Sequence, residues 1–129
     1  MNPFQLNNSR ILITGASSGL GAAIASKTAE AGATLLLLAR DEKRLKEVKA
    51  SLTGQGHSVV MCDLAEDAQV ANILPKAIKT FGGCTGLVHA AGLRIIEPLR
   101  FNQEKTLVDT LRVNLMSAFQ LLKLCRSPG

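Results

Sequence analysis

Four short runs of consecutive apolar residues constrain the fold of this 129-residue chain more than any other feature of its sequence. A strand that faces solvent on one side alternates apolar and polar residues, whereas a strand buried on both faces of a parallel sheet is apolar at successive positions. The runs follow the second pattern and predict four buried parallel strands. They lie at residues 10–14, 35–39, 58–62 and 86–90.

Each run is followed by a segment with helical character. Alanine enrichment, apolar residues at spacings of three and four, and closing glycines favour helices. Pro75 lies inside the third segment and is expected to kink or split it. The predicted helices span residues 22–31, 41–52, 66–81 and 103–125. This alternation predicts an α/β, Rossmann-like fold, which is a doubly wound parallel sheet with helices on both faces.

The composition is that of a folded protein and excludes several other classes. Hydrophobic residues make up 47% of the chain and charged residues 19%, so we do not expect a disordered chain. No apolar run approaches the roughly 18 residues of a membrane helix, and residues 1–10 do not resemble a secretory signal. The three cysteines are widely spaced and form no zinc pattern with the two histidines. We therefore predict a cytoplasmic protein with reduced thiols, no bound metal and no membrane contact.

The net charge of +5 raises the question of a nucleic-acid partner. The densest basic stretch, residues 40–49, holds five Lys and Arg, but Asp41, Glu42 and Glu47 lie among them. A nucleic-acid surface usually adds aromatic side chains on which bases stack, and none lies near this stretch. The charges are therefore read as a solvated helix face, and no nucleic-acid partner is expected.

A glycine-rich turn joins the first predicted strand to the first helix. It reads Thr-Gly-Ala-Ser-Ser-Gly-Leu-Gly over residues 14–21. Gly15 allows a sharp exit from the strand, Gly19 lets a diphosphate approach the backbone without meeting a Cβ, and Gly21 lets the helix pack close to the strand. Free backbone N–H groups and the positive helix end would then hold the phosphates. The turn predicts a nucleotide site, and the alternative is a tight turn without a ligand.

Two charged residues stand where the next two strands end. Arg40 follows the second strand, where it can hold a 2′-phosphate through a bidentate pair and so favours NADP over NAD. The alternative is a surface arginine at a helix start. Asp63 follows the third strand, where it can accept a hydrogen bond from an adenine amino group or cap the next helix. Both roles stay open for Asp63.

Together with His-Ala-Ala-Gly at residues 89–92 and Val113-Asn114 in the last helix, these motifs resemble the short-chain dehydrogenase/reductase family. The elements occur in the family's order and at similar separations, and they cover nearly the whole chain. Among the members, the chain is most similar to bacterial reductases of the 3-oxoacyl-acyl-carrier-protein type. The resemblance corresponds to the N-terminal half of such an enzyme.

The resemblance implies a site for a dinucleotide cofactor, NADP. The glycine turn would surround the phosphates, Arg40 would select NADP, and the residues after the third and fourth strands would contact the adenine and run toward the nicotinamide. The implied cofactor-binding residues are Gly15, Ser17, Ser18, Gly19, Leu20, Gly21, Arg40, Asp63, Leu64, Ala90, Ala91 and Gly92. The family usually has Asn-Asn-Ala-Gly at residues 89–92. His89 and Ala90 depart from that pattern, and His89 is predicted to be a packed, hydrogen-bonded strand residue and not a catalyst.

Asn114 matches the family's supporting asparagine, which interrupts the helix hydrogen bonding and holds a water in a proton relay. Its spacing from Leu107, Leu111 and Ala118 predicts that it lies on the apolar, inward face of the last helix. A buried amide needs hydrogen-bond partners. The alternative to the supporting catalytic role is therefore a core amide bonded to the backbone.

The family's reaction also needs a tyrosine that protonates the substrate, a lysine four residues later, and a serine. The 129 residues contain no tyrosine. We expect a single dinucleotide-binding domain over residues 1–129, truncated after the fourth strand-helix unit, with sheet order 3-2-1-4. The predicted function is NADP-dependent reduction of a small carbonyl compound of the 3-oxoacyl type, with this chain as the cofactor-binding half. The alternative is a catalytically inactive nucleotide-binding or interaction protein derived from the family.

The last predicted helix carries more apolar residues than one buried stripe requires. The fourth strand would also leave one edge unpaired, and an apolar edge invites pairing with another chain. These two features predict a homo-oligomer. The apolar helix residues are Leu107, Val108, Leu111, Leu115, Phe119 and Leu122.

Overall fold

A computed structural model describes residues 3–126 and places four parallel strands at the centre of the molecule. The order across the sheet is β3-β2-β1-β4, as predicted. In the register of the sheet, Ile13 lies opposite Leu37 on one side and Val88 on the other. The strands are β1 (Arg10–Thr14), β2 (Thr34–Ala39), β3 (Ser58–Met61) and β4 (Gly86–His89).

Five α-helices connect the strands of the described residues and follow the last one. They are α1 (Gly19–Glu30), α2 (Glu42–Ser51), α3 (Asp67–Phe81), α4 (Glu104–Leu111) and α5 (Ser117–Arg126). A 3-10 turn, Leu99–Phe101, precedes α4. A π-helical segment, Arg112–Met116, separates α4 from α5 and is called the π turn below. The last predicted helix is therefore two α-helices, and α1 begins three residues earlier than predicted.

Pro75 lies within α3, which continues through it from Asp67 to Phe81. The expected split of this helix is wrong. Pro75 faces solvent, so the carbonyl group that it leaves without a helical N–H partner can be hydrated. Leu74 and Ile78, on either side of it in the sequence, are buried and hold the helix to the core.

The core consists of one apolar cluster on each face of the sheet. Successive strand residues point to opposite faces. Leu36 and Leu38 therefore join the cluster that includes residues of α3 and α5. Leu35 and Leu37 join the cluster that includes residues of α1 and α2. Helices thus cover both faces, which confirms the doubly wound architecture.

The outer strands are less buried than predicted. Every residue of β1 and β2 is buried except the first of each strand, whereas all four residues of β4 are only partly buried. In β3, Met61 is 53% exposed. The reason is geometric, because each outer strand has a neighbouring strand on one side only. Within residues 3–126, no helix combines the length and apolar character needed to cross a membrane.

Candidate functional site

A cleft of about 820 Å³ opens at the carboxyl ends of the strands. It is lined by the glycine turn after β1 and by the segments that follow β2, β3 and β4. The chain adds β2 and β3 on one side of β1 and then crosses to place β4 on the other side. Such a reversal leaves a crevice beyond the carboxyl ends of the strands, and ligands of doubly wound sheets bind there.

The glycine turn presents the N-terminus of α1 without a local counter-charge. No side chain caps the first turn of α1, and no acidic residue lies in that turn. Gly19 has φ +55°, and a Cβ at this position would meet no atom within 4 Å. The first N–H groups of a helix have no helical acceptor and carry a partial positive charge. This helix end is therefore suited to an anion.

The other two glycines of the turn make room for backbone. Gly15 has φ +63°, and a Cβ there would lie 2.7 Å from the amide nitrogen of Ala91 and 2.8 Å from the carbonyl carbon of Ala90. A Cβ at Gly21 would overlap the carbonyl oxygen of Gly15. The close packing expected at Gly21 is thus against the first residue after β1. The approach of Gly15 to the segment after β4 was not predicted, because the two lie about 75 residues apart in sequence.

Arg40 lies at the carboxyl end of β2, is exposed and lines the cleft. No carboxylate within residues 3–126 pairs with its guanidinium group. The adjacent carboxylate, Asp41, is turned away to α2, where one oxygen accepts from the N–H of Arg44 at 3.1 Å. Its other oxygen lies 3.6 Å from Nε of Arg44. This corner of the cleft therefore has a free positive charge and an engaged negative one.

Asp63 lies beyond β3 and closes a turn. Its Oδ1 accepts from the N–H of Ala65 at 2.9 Å, and its own N–H donates to Oε1 of Gln69 at 2.9 Å. The helix α3 begins at Asp67, so Asp63 is not its cap. Next to it, burial and the Asp63 charge raise the pKa of Cys62 to about 11. A neutral thiol therefore lies between the end of β3 and this carboxylate.

His89, the last residue of β4, anchors the segment that follows it through hydrogen bonds. Its Nδ1 lies 2.8 Å from Oγ1 of Thr14, and its Nε2 lies 3.1 Å from the carbonyl oxygen of Val113. Oγ1 of Thr14 also accepts from the N–H of Ala91 at 3.1 Å. His89 is therefore a packed, hydrogen-bonded strand residue, as predicted.

Asn114 lies in the π turn and is exposed, so its prediction as an inward-facing residue is wrong. Its Oδ1 accepts from the N–H of Leu93 at 2.7 Å, and its Nδ2 donates to the carbonyl oxygen of Leu93 at 3.0 Å. The whole helix face on which it was predicted to lie is uncovered, since Leu107 and Leu111 of α4 are 57% and 48% exposed. The amide is bonded to backbone, as in the alternative reading, but at the surface and not in the core.

The structure brings nearly all of the predicted site residues into this one cleft. Each predicted cofactor-binding residue except Gly19 lines it. Asn114 does not line it, although its partner Leu93 does. The cleft-lining residues that the sequence did not single out are Leu38, Ala39, Asp41, Glu42, Arg44, Cys62, Ala65, Leu93 and Val113. Most of them are next to a predicted residue in the sequence. Their position at the ends of the strands was therefore the sequence signal that could have identified them.

The arrangement of strand order, glycine turn and cleft agrees with the comparisons with known proteins. The family model for short chain dehydrogenases matches residues 9–127. The chain belongs to the short-chain dehydrogenase family. This is a family of oxidoreductases.

Three individual proteins illustrate the similarity. The proposed ketoacyl reductase 1 of the granaticin polyketide synthase of Streptomyces violaceoruber is 36% identical over 114 residues, which are 87% of this chain and 42% of that protein. The L-sorbose reductase of Gluconobacter frateurii, solved with NADPH and L-sorbose, has a TM-score of 0.83 at 30% identity and matches 95% of this chain and 48% of its own. A short chain dehydrogenase of Burkholderia cenocepacia, solved with NADP, has a TM-score of 0.83 at 28% identity over 94% of this chain and 51% of its own. The chain thus spans about half the length of these relatives.

Proposed function

We propose that this chain binds NADP(H) in the cleft at the carboxyl ends of its strands and serves as the cofactor-binding half of a carbonyl reductase. The observation that carries the proposal is the pairing of two positive features in one cleft. The uncapped N-terminus of α1 is suited to a diphosphate, and the unpaired Arg40 is suited to a second phosphate. NADP carries both groups.

The residues present fit this cofactor in shape as well as in charge. A Cβ at Gly19 would point into open space, so a phosphate can approach the backbone there. Asp41 lies where an acidic residue would favour the free ribose hydroxyls of NAD, but its carboxylate is engaged by Arg44. The free guanidinium of Arg40 therefore favours the 2′-phosphate of NADP. Both solved relatives described above were crystallised with NADP or NADPH, which supports the same choice.

The remaining predicted residues would divide the rest of the cofactor between them. The second carboxylate oxygen of Asp63 would accept a hydrogen bond from the adenine amino group, beside the buried side chain of Leu64. Ser17, Ser18 and Leu20 would flank the diphosphate. The backbone of residues 90–92 would run past the ribose toward the nicotinamide.

The reduction requires a hydride, which the bound cofactor supplies, and a proton for the resulting alkoxide. The 129 residues contain no tyrosine, so the proton donor of the family has no counterpart among them. What this chain contributes is binding and orientation. Asn114 contributes by fixing the backbone of Leu93 through both groups of its amide, while its place in a proton relay remains a prediction.

Isothermal titration calorimetry with NADPH and NADH tests the cofactor proposal. We expect NADPH to bind at least about tenfold more tightly than NADH, because a charge-assisted pair to the 2′-phosphate contributes about 1.5–3 kcal/mol. Arg40→Ala should remove this preference and leave NADH binding unchanged.

The matched control for this experiment is Arg100→Ala, which removes the same charge from an exposed position outside the cleft. It should change both affinities by less than about twofold, since exposed charges at a distance are screened by salt. Equal binding of NADH and NADPH, unchanged in Arg40→Ala, would contradict the assignment of NADP.

For the substrate we propose a 3-oxoacyl compound, since a relative that is 36% identical is named as a proposed ketoacyl reductase. The absence of tyrosine favours a second candidate, a nucleotide-binding protein without turnover. Absorbance of NADPH in the presence of a 3-oxoacyl thioester can exclude the second candidate, whereas negligible oxidation agrees with both, because both lack the proton donor of the family. We expect negligible oxidation by the 129-residue chain, and turnover would exclude the inactive binding protein.

The exposed apolar face of α4 and α5 supports self-association as part of the same proposal. Leu115 and Phe119 are 62% and 61% exposed, and apolar surface of this kind is usually covered by a partner. Size-exclusion chromatography with light scattering should show a dimer or a larger species. A stable monomer at high concentration would contradict this proposal.

A further inference from the structure

The imidazole ring of His89 lies behind the cleft wall formed by residues 90–92 and joins three segments. Thr14 belongs to the end of β1, His89 ends β4, and Val113 belongs to the π turn. The ring lies 2.8 Å from Oγ1 of Thr14, 3.1 Å from the carbonyl oxygen of Val113 and 3.4 Å from Oγ of Ser117, which directly follows the π turn. Val113 itself lines the cleft. The ring therefore connects the glycine turn, the segment after β4 and the π turn behind the same surface.

The hydrogen-bond partners fix the tautomer of this ring. A carbonyl oxygen can only accept, and the hydroxyl of Ser117, 3.4 Å from Nε2, donates its own proton to the same carbonyl, so Nε2 of His89 carries the proton that it donates to Val113. In the neutral ring, Nδ1 is then an acceptor, and the hydroxyl of Thr14 donates to it. The oxygen of Thr14 is left to accept from the N–H of Ala91. The donors thus run in one direction from Ala91 through Thr14 and His89 to Val113.

A second contact secures the other end of the same segment. Asn114, the neighbour of Val113 in the π turn, binds both backbone groups of Leu93. The adjacent π-turn residues Val113 and Asn114 therefore bind residues 89 and 93, respectively. The backbone between residues 89 and 93 lines the cleft. The close approach of Gly15 to Ala90 and Ala91 fixes the segment from the third side.

We propose that His89, as its Nε2–H tautomer, is a positioning residue that sets the backbone of residues 90–92 for NADP(H). This inference rests on the proposed function. His89 does not line the cleft itself and acts through Thr14 and Ala91. Its role is to orient the wall against which the cofactor lies.

The chain contains a matched control in its second histidine. His57 is buried, its Nδ1 accepts from the N–H of Leu35 at 3.1 Å, and its Nε2 lies 2.7 Å from the carbonyl oxygen of Thr53. It is therefore the same tautomer between two backbone segments. It lies at the opposite edge of the sheet, before β3 and beside the start of β2. A change there disturbs the fold without touching the cleft wall.

The test is calorimetric titration of NADPH into the wild-type chain and into H89L, H89N and H57L. The measured stoichiometry gives the folded fraction, so the dissociation constant is read for folded protein only. We expect H89L to weaken binding about tenfold, as the loss of one net hydrogen bond to an ordered wall would do. H57L should leave the dissociation constant within about twofold. H89N should recover most of the affinity, because its amide oxygen can replace Nδ1 as the acceptor for Thr14.

The ¹⁵N chemical shifts of the imidazole ring supply a second readout that does not depend on the cofactor and does not require a variant to fold. A neutral ring protonated at Nε2 supports the inference, and a ring protonated at Nδ1 overturns it. If the wild-type chain binds NADPH and H89L binds it equally tightly, the positioning role is overturned and the proposed function stands. A wild-type chain that does not bind NADPH overturns both. Equal weakening in H57L and H89L would also overturn the specific role of His89.

Discussion

Two regions of the molecule use similar apolar sequences and bury them to different degrees. In the first region, residues 10–81, the side chains of β2 from Leu35 to Leu38 are at most 1% exposed. In the second region, residues 86–126, all residues of β4 are partly exposed, and Leu115 and Phe119 of the last helical segments are more than half exposed. An apolar pattern therefore identifies a surface that can be buried, but not whether a second layer covers it.

The reason lies in the neighbours of each strand. The strands β1 and β2 each have a neighbouring strand on both sides and an apolar cluster on both faces of the sheet. The strand β4 pairs with β1 alone. The free energy gained by an apolar side chain depends on the area that it removes from water. The first region should therefore dominate the stability of the chain, and the following predictions test that difference.

The largest effect is expected for Gly21→Ala in the first region. The new Cβ would overlap the carbonyl oxygen of Gly15, and backbone cannot rotate away as a side chain can. We expect a loss of about 3 kcal/mol or more in the free energy of unfolding. Gly83→Ala is the control, since it is the same substitution at a position where a Cβ would meet no atom within 4 Å.

Urea denaturation followed by circular dichroism measures both glycine variants. Gly83 has φ +84°, so its alanine variant should lose only about 1 kcal/mol from backbone strain. If Gly21→Ala were no less stable than Gly83→Ala, the tight packing of the glycine turn would be refuted.

A pair of leucine substitutions compares the two regions directly. Leu12 of β1 is fully buried, whereas Leu115 of the π turn is 62% exposed. Leu12→Ala should lower the free energy of unfolding by about 3 kcal/mol, and Leu115→Ala should change it by less than about 0.5 kcal/mol. Urea denaturation at low protein concentration, where self-association is weak, measures both changes in the free energy of unfolding. Equal losses would show that Leu115 is buried in solution.

The raised pKa of Cys62 predicts that the folded chain loses stability at high pH. Its folded pKa is raised from 9.0 to about 11 by burial, with Asp63 as the second cause. The folded state holds this proton more tightly than the unfolded state, so the contribution is complete below pH 9 and is lost as the pH rises to 11. The loss should be about 2 kcal/mol. Cys62→Ala should be less pH-dependent over this interval, and an unchanged slope would contradict the assignment.

The smallest effect compares two helix starts. Asp41 caps α2 through the N–H of Arg44, whereas Gln103 precedes α4 and makes no side-chain cap. Asp41→Ala should cost about 1 kcal/mol, and Gln103→Ala should be close to neutral. Thermal unfolding by calorimetry resolves this difference. A neutral Asp41→Ala would mean that the cap adds nothing to the first region.

Much of the fold and the location of the site could be predicted from the sequence. The four apolar runs became β1–β4 in the predicted order, because buried parallel strands have a local pattern. The glycine turn and the strand ends placed Arg40, Asp63 and Ala91 at one edge of the sheet, where the structure finds them in a single cleft. These features depend on short stretches of chain whose preferences are local.

Other features could not be predicted in this way. Asn114 lies at the surface because the helix face that it shares with Leu107 and Leu111 is not covered by other described residues, and helical periodicity does not show whether a face is covered. The extra constraint on Gly15 comes from residues 90–91, which meet it only after β4 pairs with β1. The ring of His89 acquired its partners by the same closure.

By itself, the sequence determined the buried strands, the glycine turn that opens a helix N-terminus to an anion, and the arginine at the end of β2. Backbone preference and apolar periodicity are properties of a few neighbouring residues, so they can be recognised in the sequence. The tertiary structure decided which backbone atoms press against Gly15 and Gly21, which way Asn114 faces, and how much of the apolar surface of α4 and α5 is covered. These depend on contacts between residues far apart in sequence, whose geometry exists only once the sheet has assembled.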